Sequence, residues 1–220
     1  MIRAIIFDLD GTLLDRHSSL HQFVGDQFER IIKLTKDIDK ETYINRFIEL
    51  DNRGYVWKDK VYQELIMEFD LSLDWNDLLT DYKAGFCSHA ISFPNTIEML
   101  EDLNQKGYKM GMITNGFDNF QSSNIQALGI EKYFEVILIS ELEGIHKPDP
   151  AIFLRAAQMM GVIPEECVYI GDHPTNDVVA CRSVGMKGIW KEDTYYKEQF
   201  ESDGIVRDLL DVERIVRQWN

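Results

Sequence analysis

RAIIFDLDGT, residues 3–12, decides the fold. Arg3–Phe7 is too short for a helix and apolar on both faces, as in a strand buried between two helical layers. The run stops at Asp8, and Asp10, Gly11 and Thr12 follow at once. Carboxylates at the carboxyl end of a buried parallel strand stand where open α/β sheets bind their ligands.

Beyond Pro94 the same pattern recurs. Strand-like runs occupy 109–114 (KMGMIT), 135–140 (EVILIS), 167–172 (CVYIGD) and 187–191 (KGIWK). Helical segments lie between them near 95–106, 118–128, 150–160 and 175–184, and Gly107, Gly129, Gly161 and Gly185 each stand where a left-handed residue ends a helix. Asp149 and Pro150 form an N-cap and first-turn proline. Repeated β–α–β units predict a Rossmann-like α/β core, a parallel sheet covered on both faces. The tail near 206–219 reads as a closing helix.

Between the first strand and the rest, residues 18–86 carry helical spacing almost throughout. Leu20, Phe23, Val24 and Phe28 begin one apolar stripe, and Tyr43, Ile44 and Phe47 a second. Trp57, Val61 and Leu65 begin a third, and Trp75, Leu78 and Tyr82 a fourth. Four amphipathic helices with no strand between them predict a helical bundle. The expected division is a core of 1–14 and 94–220 with an inserted helical cap at 15–93, joined by linkers at 13–16 and 90–94. An insert leaving the carboxyl end of the first strand would stand over the ligand site as a lid.

The 220 residues are 45% hydrophobic, enough for a real core, and 23 Lys+Arg against 38 Asp+Glu give a formal net charge of −15. That charge repels phosphate polymers, so no nucleic-acid polymer is expected as partner. No apolar run reaches the roughly 18–20 residues of a membrane span. Cys87, Cys167 and Cys181 form no metal-ligand spacing and read as free thiols of a reducing, cytoplasmic setting. A monomer is compatible with the sequence.

The strand ends carry the chemistry. Asp8 and Asp10 follow the first, Thr114, Asn115 and Gly116 the second, and Lys147 lies beyond the third. Asp172 ends the fourth, with Asp177 shortly after. Four carboxylates beside one lysine cannot accept a phosphate dianion unaided, and a hard divalent cation such as Mg²⁺ resolves the conflict. Asp8, Asp172 and a backbone carbonyl could hold it, with Asp177 or waters completing the shell. Lys147 and the Thr114 hydroxyl would bind phosphate oxygens. One carboxylate can attack phosphorus, and a second, two residues on, can protonate the leaving oxygen and then activate water.

DLDGT at 8–12, TNG at 114–116, KP at 147–148 and GDHPTND at 171–177 resemble, in order, the four motifs of the haloacid dehalogenase superfamily. The helical insert falls where that family's first cap class carries one. The resemblance spans the chain and implies Asp8 as nucleophile and Asp10 as general acid/base. It implies Thr114 and Lys147 as phosphate ligands, with Asn115 a further candidate. Asp8, the Asp10 carbonyl and Asp172 would be Mg²⁺ ligands, and Asp177 would either reach the metal through water or steady the lysine. The family's dehalogenases lack the second aspartate of the first motif, so Asp10 favours ester cleavage over halide displacement.

The expectation is a Mg²⁺-dependent phosphatase for a small phosphorylated metabolite, leaning to nucleoside monophosphates. A phosphomutase or 2-haloacid dehalogenase of the same family is the alternative, and a phospho-acceptor regulatory domain the remote one. The lean comes from the loop at 51–58, where Arg53 and Lys58 could hold a second anion and Tyr55 or Trp57 could stack on a base. His173 beside Asp172 is a lesser candidate.

Overall fold

The computed structural model describes residues 1–220 as two compact units, Met1–Asp15 with Ser92–Asn220, and Arg16–Ile91. In chain order, β1 (Ala4–Phe7) precedes four helices of the second unit: α1 (Arg16–Arg30), α2 (Lys40–Asp51), α3 (Lys58–Phe69) and α4 (Trp75–Gly85). The first unit resumes with α5 (Thr96–Gln105), β2 (Lys109–Thr114), α6 (Asp118–Ala127), β3 (Val136–Ile139) and the short α7 (Ser140–Glu143). It continues through α8 (Pro150–Met159), β4 (Cys167–Gly171), a π-helical turn at Pro174–Val179 and α9 (Ala180–Ser183). β5 (Lys187–Lys191), β6 (Gly204–Val206) and α10 (Asp211–Val216) complete it.

The strands form one parallel sheet in the order β3-β2-β1-β4-β5-β6. β1 lies inside it, with Phe7 in register with Met112 on one side and Ile170 on the other. Ala4, Ile5, Ile6 and Phe7 are all fully buried, which is why the run shows no alternation. On one face Ile6, Ile113 and Tyr169 meet Phe153 of α8. The Phe153 and Tyr169 rings stand edge to face at 5.0 Å. Burying a side chain such as Phe153 contributes about 1.5–3 kcal/mol.

Two expectations change. Val206, read as the first residue of the closing helix, is the last residue of β6, residues 207–210 form a turn, and the helix proper begins at Asp211. Three residues are too few to display a period of two, and β6 is recognised by its register with β5 and by the burial of Val206. The helix expected at 175–184 opens as a π turn, in which His173 Nδ1 accepts from the Thr175 and Asn176 N–H groups at 3.1 and 3.2 Å.

In the helical unit, Phe23 meets Tyr82 edge to face at 5.4 Å and Phe47 meets Tyr62 at 5.3 Å. Buried Gln27 ties α1 to α4 by donating to Leu78 O (3.1 Å) and Asp81 Oδ2 (2.9 Å), and it accepts from Tyr62 OH (2.9 Å). Asp39 and Asp74 cap α2 and α4. No helix of the chain is long and apolar enough to cross a membrane.

Candidate active site

Chain order sets the place. From β1 the chain builds β2 and β3 on one side, then crosses to β4 on the other, so the sheet's switch point lies between β1 and β4. Ligands of open α/β sheets bind outside the carboxyl ends at such a point. Asp8 follows β1 and Asp172 follows β4. Gly11 lets the two loops approach: its φ is +87°, and a Cβ there would lie 2.5 Å from Asp172 Oδ2.

Lys147 is the centre of the buried cluster. Its Nζ donates to Asp8 Oδ1 (2.6 Å), Asp177 Oδ1 (2.8 Å) and Tyr169 OH (2.9 Å). Thr12 Oγ1 donates to Asp8 Oδ2 at 3.2 Å, and the His173 N–H donates to Asp177 Oδ2 at 3.0 Å. The π turn brings Asp177 back to the lysine and leaves the His173 ring as its cap.

Burial raises the Asp8 carboxyl; the Lys147 charge and hydrogen bond oppose it, Asp177 and Asp10 add to it, and the result is a value of about 7. Burial works the other way on Lys147, but Asp177 and Asp8 outweigh it and hold the ammonium protonated above its usual range. The Tyr169 phenol is raised well above its normal value by burial and then by Asp177 and Asp8, so it stays neutral.

The motif-two residues divide into two roles. Thr114 is buried at the end of β2, beside Asp10 through Gln121: its Oγ1 and Asp10 Oδ2 both accept from Gln121 Nε2, at 2.5 and 2.7 Å. Asn115, expected to contact phosphate, instead clamps the lysine loop. Its Nδ2 donates to Lys147 O and its Oδ1 accepts from Lys147 N, both at 2.9 Å. A side-chain amide matches a backbone amide in donor and acceptor, which is why this pairing wins locally.

The expected specificity residues do not stay together. Lys58 opens α3 and is 3% exposed, its ammonium on Asp51. Arg16 meets the same carboxylate with Nη1 and Nη2 at 2.8 and 3.0 Å. Lys58 is thus half of an internal ion pair rather than a cation offered to a ligand. Burial disfavours the Asp51 charge, but Arg16 and then Lys58 overcome it and hold the carboxyl below its ordinary value. Arg53 and Tyr55 lie on the exposed loop, where Asn52, Arg53 and Gly54 adopt left-handed backbone at φ of 43°, 59° and 89°.

Asp8, Asp172 and Asp177 are all buried, and each offers a ligand atom within 4.8 Å of the others'. Hard oxygen donors so arranged, with one of them pushed toward neutrality chiefly by burial, fit a hard divalent cation. The residues that sequence reading missed are Gln121 and Tyr169. A tyrosine in a strand buried on both faces was a legible signal, because its hydroxyl must find a partner. Gln121 gave none.

The chain belongs to the haloacid dehalogenase-like hydrolases, whose family model matches residues 5–191. It is similar to a glyceraldehyde 3-phosphate phosphatase of Pyrococcus furiosus, 28% identical over all of this chain and 95% of that protein. Among solved structures it resembles a HAD phosphatase from Thermococcus onnurineus, 28% identical over 98% of both chains with a TM-score of 0.67. A 2-haloacid dehalogenase of Pseudomonas syringae pv. tomato shares the fold at 24% identity over the whole of both chains, TM-score 0.66. The fold therefore does not choose between ester and halide chemistry, and the side chains must.

Proposed function

We propose that this hydrolase is a Mg²⁺-dependent phosphatase of small phosphorylated metabolites, working through an aspartyl phosphate on Asp8. One observation carries it. Two carboxylates two residues apart are held by different partners, Asp8 by Lys147 and Thr12, Asp10 by Gln121. Separate environments suit separate roles, nucleophile and proton carrier. Halide displacement needs no proton carrier, whereas an alkoxide leaving group does.

In this reading a carboxylate oxygen of Asp8 forms a bond to phosphorus as the bond to the leaving oxygen breaks, and Asp10 gives that oxygen its proton. Asp10 then takes a proton from water as the water attacks phosphorus, releasing phosphate and restoring Asp8. Lys147 and the Thr114 hydroxyl bind the phosphoryl oxygens, while Asp177 and Asn115 hold Lys147 in place. Asp8, Asp172 and the Asp10 carbonyl would hold Mg²⁺, which supplies charge neutralisation at the phosphoryl group. The helical unit, Arg16–Ile91, acts as the cap.

For substrate, the archaeal relative's name points to triose phosphates, and the exposed Arg53 and Tyr55 keep nucleoside monophosphates beside them. Phosphate release from a panel of both classes, with Mg²⁺ and with EDTA, tests the reading. Metal-dependent release from a few related compounds is expected. No release from any compound by the folded protein would overturn it, and conversion without net release would indicate a mutase.

A further inference from the structure

Gln121 lies on α6 and is 2% exposed. Its Nε2 bridges Asp10 Oδ2 at 2.7 Å and Thr114 Oγ1 at 2.5 Å, with the Asn115 carbonyl farther off at 3.4 Å. Chemistry fixes which amide atom faces this way, because an ionised carboxylate only accepts. Gly116 makes room for the side chain: a Cβ there would stand 2.8 Å from Gln121 Cγ.

An amide nitrogen has two hydrogens, and here both are committed. The one given to Asp10 occupies Oδ2, which leaves Oδ1 as the oxygen that carries the mobile proton. The other enters a lone pair of the Thr114 hydroxyl. A hydroxyl that accepts there keeps its own hydrogen for donation elsewhere.

We propose that Gln121 is a positioning residue that aims Asp10 Oδ1 at the leaving oxygen and turns the Thr114 hydroxyl hydrogen toward the phosphoryl group. The inference rests on the phosphatase reading. In the first step the Oδ1 proton passes to the leaving oxygen as the P–O bond breaks, and Gln121 remains hydrogen-bonded to Oδ2 throughout. Gln121 itself touches no reacting atom.

The test compares two esters in Gln121→Met, which keeps the side-chain length and removes both donors. The alkyl phosphate that the wild type hydrolyses best needs a protonated leaving group. p-Nitrophenyl phosphate does not, because its leaving group departs as a stable anion. A positioned acid contributes about 10²–10⁴-fold. Losing its aim should therefore lower kcat for the alkyl ester about 10–100-fold more than for the aryl ester. The Ki of inorganic phosphate should rise as the Thr114 hydrogen bond is lost. Gln121→Asn, whose shorter amide cannot span both partners, shifts the ratio in the same direction and serves if the Met variant does not fold.

Equal losses on both esters, or no loss, in a folded variant would overturn the inference and leave the phosphatase reading standing. Hydrolysis of neither ester by the wild type would overturn both.

Discussion

Lys147→Met puts the charge balance of the cluster to a direct test. The lysine is 4% exposed, Asp8 5% and Asp177 1%, so removing the ammonium leaves two carboxylates with little water and no counter-ion. Breaking a buried pair in this way costs about 3–5 kcal/mol. Tyr169 does not compensate, because its one hydroxyl hydrogen is already shared between Asp177 Oδ1 at 3.3 Å and the Ile113 carbonyl at 3.2 Å. The loss corresponds to a fall in the unfolding midpoint of the core on the order of 6–20 °C for a chain of this size. Differential scanning calorimetry in EDTA reads it directly. In excess Mg²⁺ the loss should be smaller, since a cation among Asp8, Asp172 and Asp177 replaces part of the missing charge. A midpoint unchanged in EDTA would refute the reasoning, because the carboxylates would then have no need of the lysine.

Asp8→Asn should remove turnover by about three orders of magnitude or more while circular dichroism stays native; activity within tenfold of wild type would remove the nucleophile assignment. Asp172→Ala should raise the Mg²⁺ concentration needed for half-maximal activity, and an unchanged titration would take Asp172 out of the ligand set. Asp51→Asn strands Arg16 and Lys58 and should cost about 3 kcal/mol at neutral pH. Because the folded carboxyl lies below its ordinary value of 3.8, its contribution is complete above that pH and disappears as pH falls through the lower, folded value. Urea midpoints of wild type and variant should converge in acid, and a gap that stays constant would contradict the pairing. Arg53→Ala should alter KM among natural substrates more than for p-nitrophenyl phosphate, and equal effects would leave the loop without a part in specificity.

Most of the sheet was legible because its rules are local. An apolar run ending in Asp8 and glycines after each helix mark out parallel strands, and parallel strands bring their polar ends to one edge. Asp8, Thr114 and Asp172 follow from that alone, and Lys147 nearly so. What escaped depends on distance in the chain. Lys58 looks like a loop cation until Arg16, 42 residues away in sequence, joins it on the carboxylate of Asp51. Gln121 falls on the same face of α6 as Ile125, four residues on, but nothing local says which partners a polar side chain finds there; Asp10 and Thr114, on the β1 and β2 loops, supply them. Asn115 reads as a further phosphate-ligand candidate in sequence because motifs encode which residue is present, not which way its amide turns.

These overlooked contacts explain how loops can hold a site to the tolerance that phosphoryl transfer demands. A loop backbone has no ladder to fix it, so side chains must supply the missing hydrogen bonds. Asn115 fastens the lysine loop to β2 with two bonds, and Gln121 fastens the Asp10 loop to the same strand end. Trp190 Nε1 donates to Asp172 O at 2.7 Å and so ties the fourth loop to β5. All of these contacts lie within the unit formed by Met1–Asp15 and Ser92–Asn220. The reacting groups are therefore placed by the core itself. Arg53 lies outside that unit, and Arg53→Ala should therefore move KM while the leaving-group dependence stays unchanged, whereas Gln121→Met should alter that dependence.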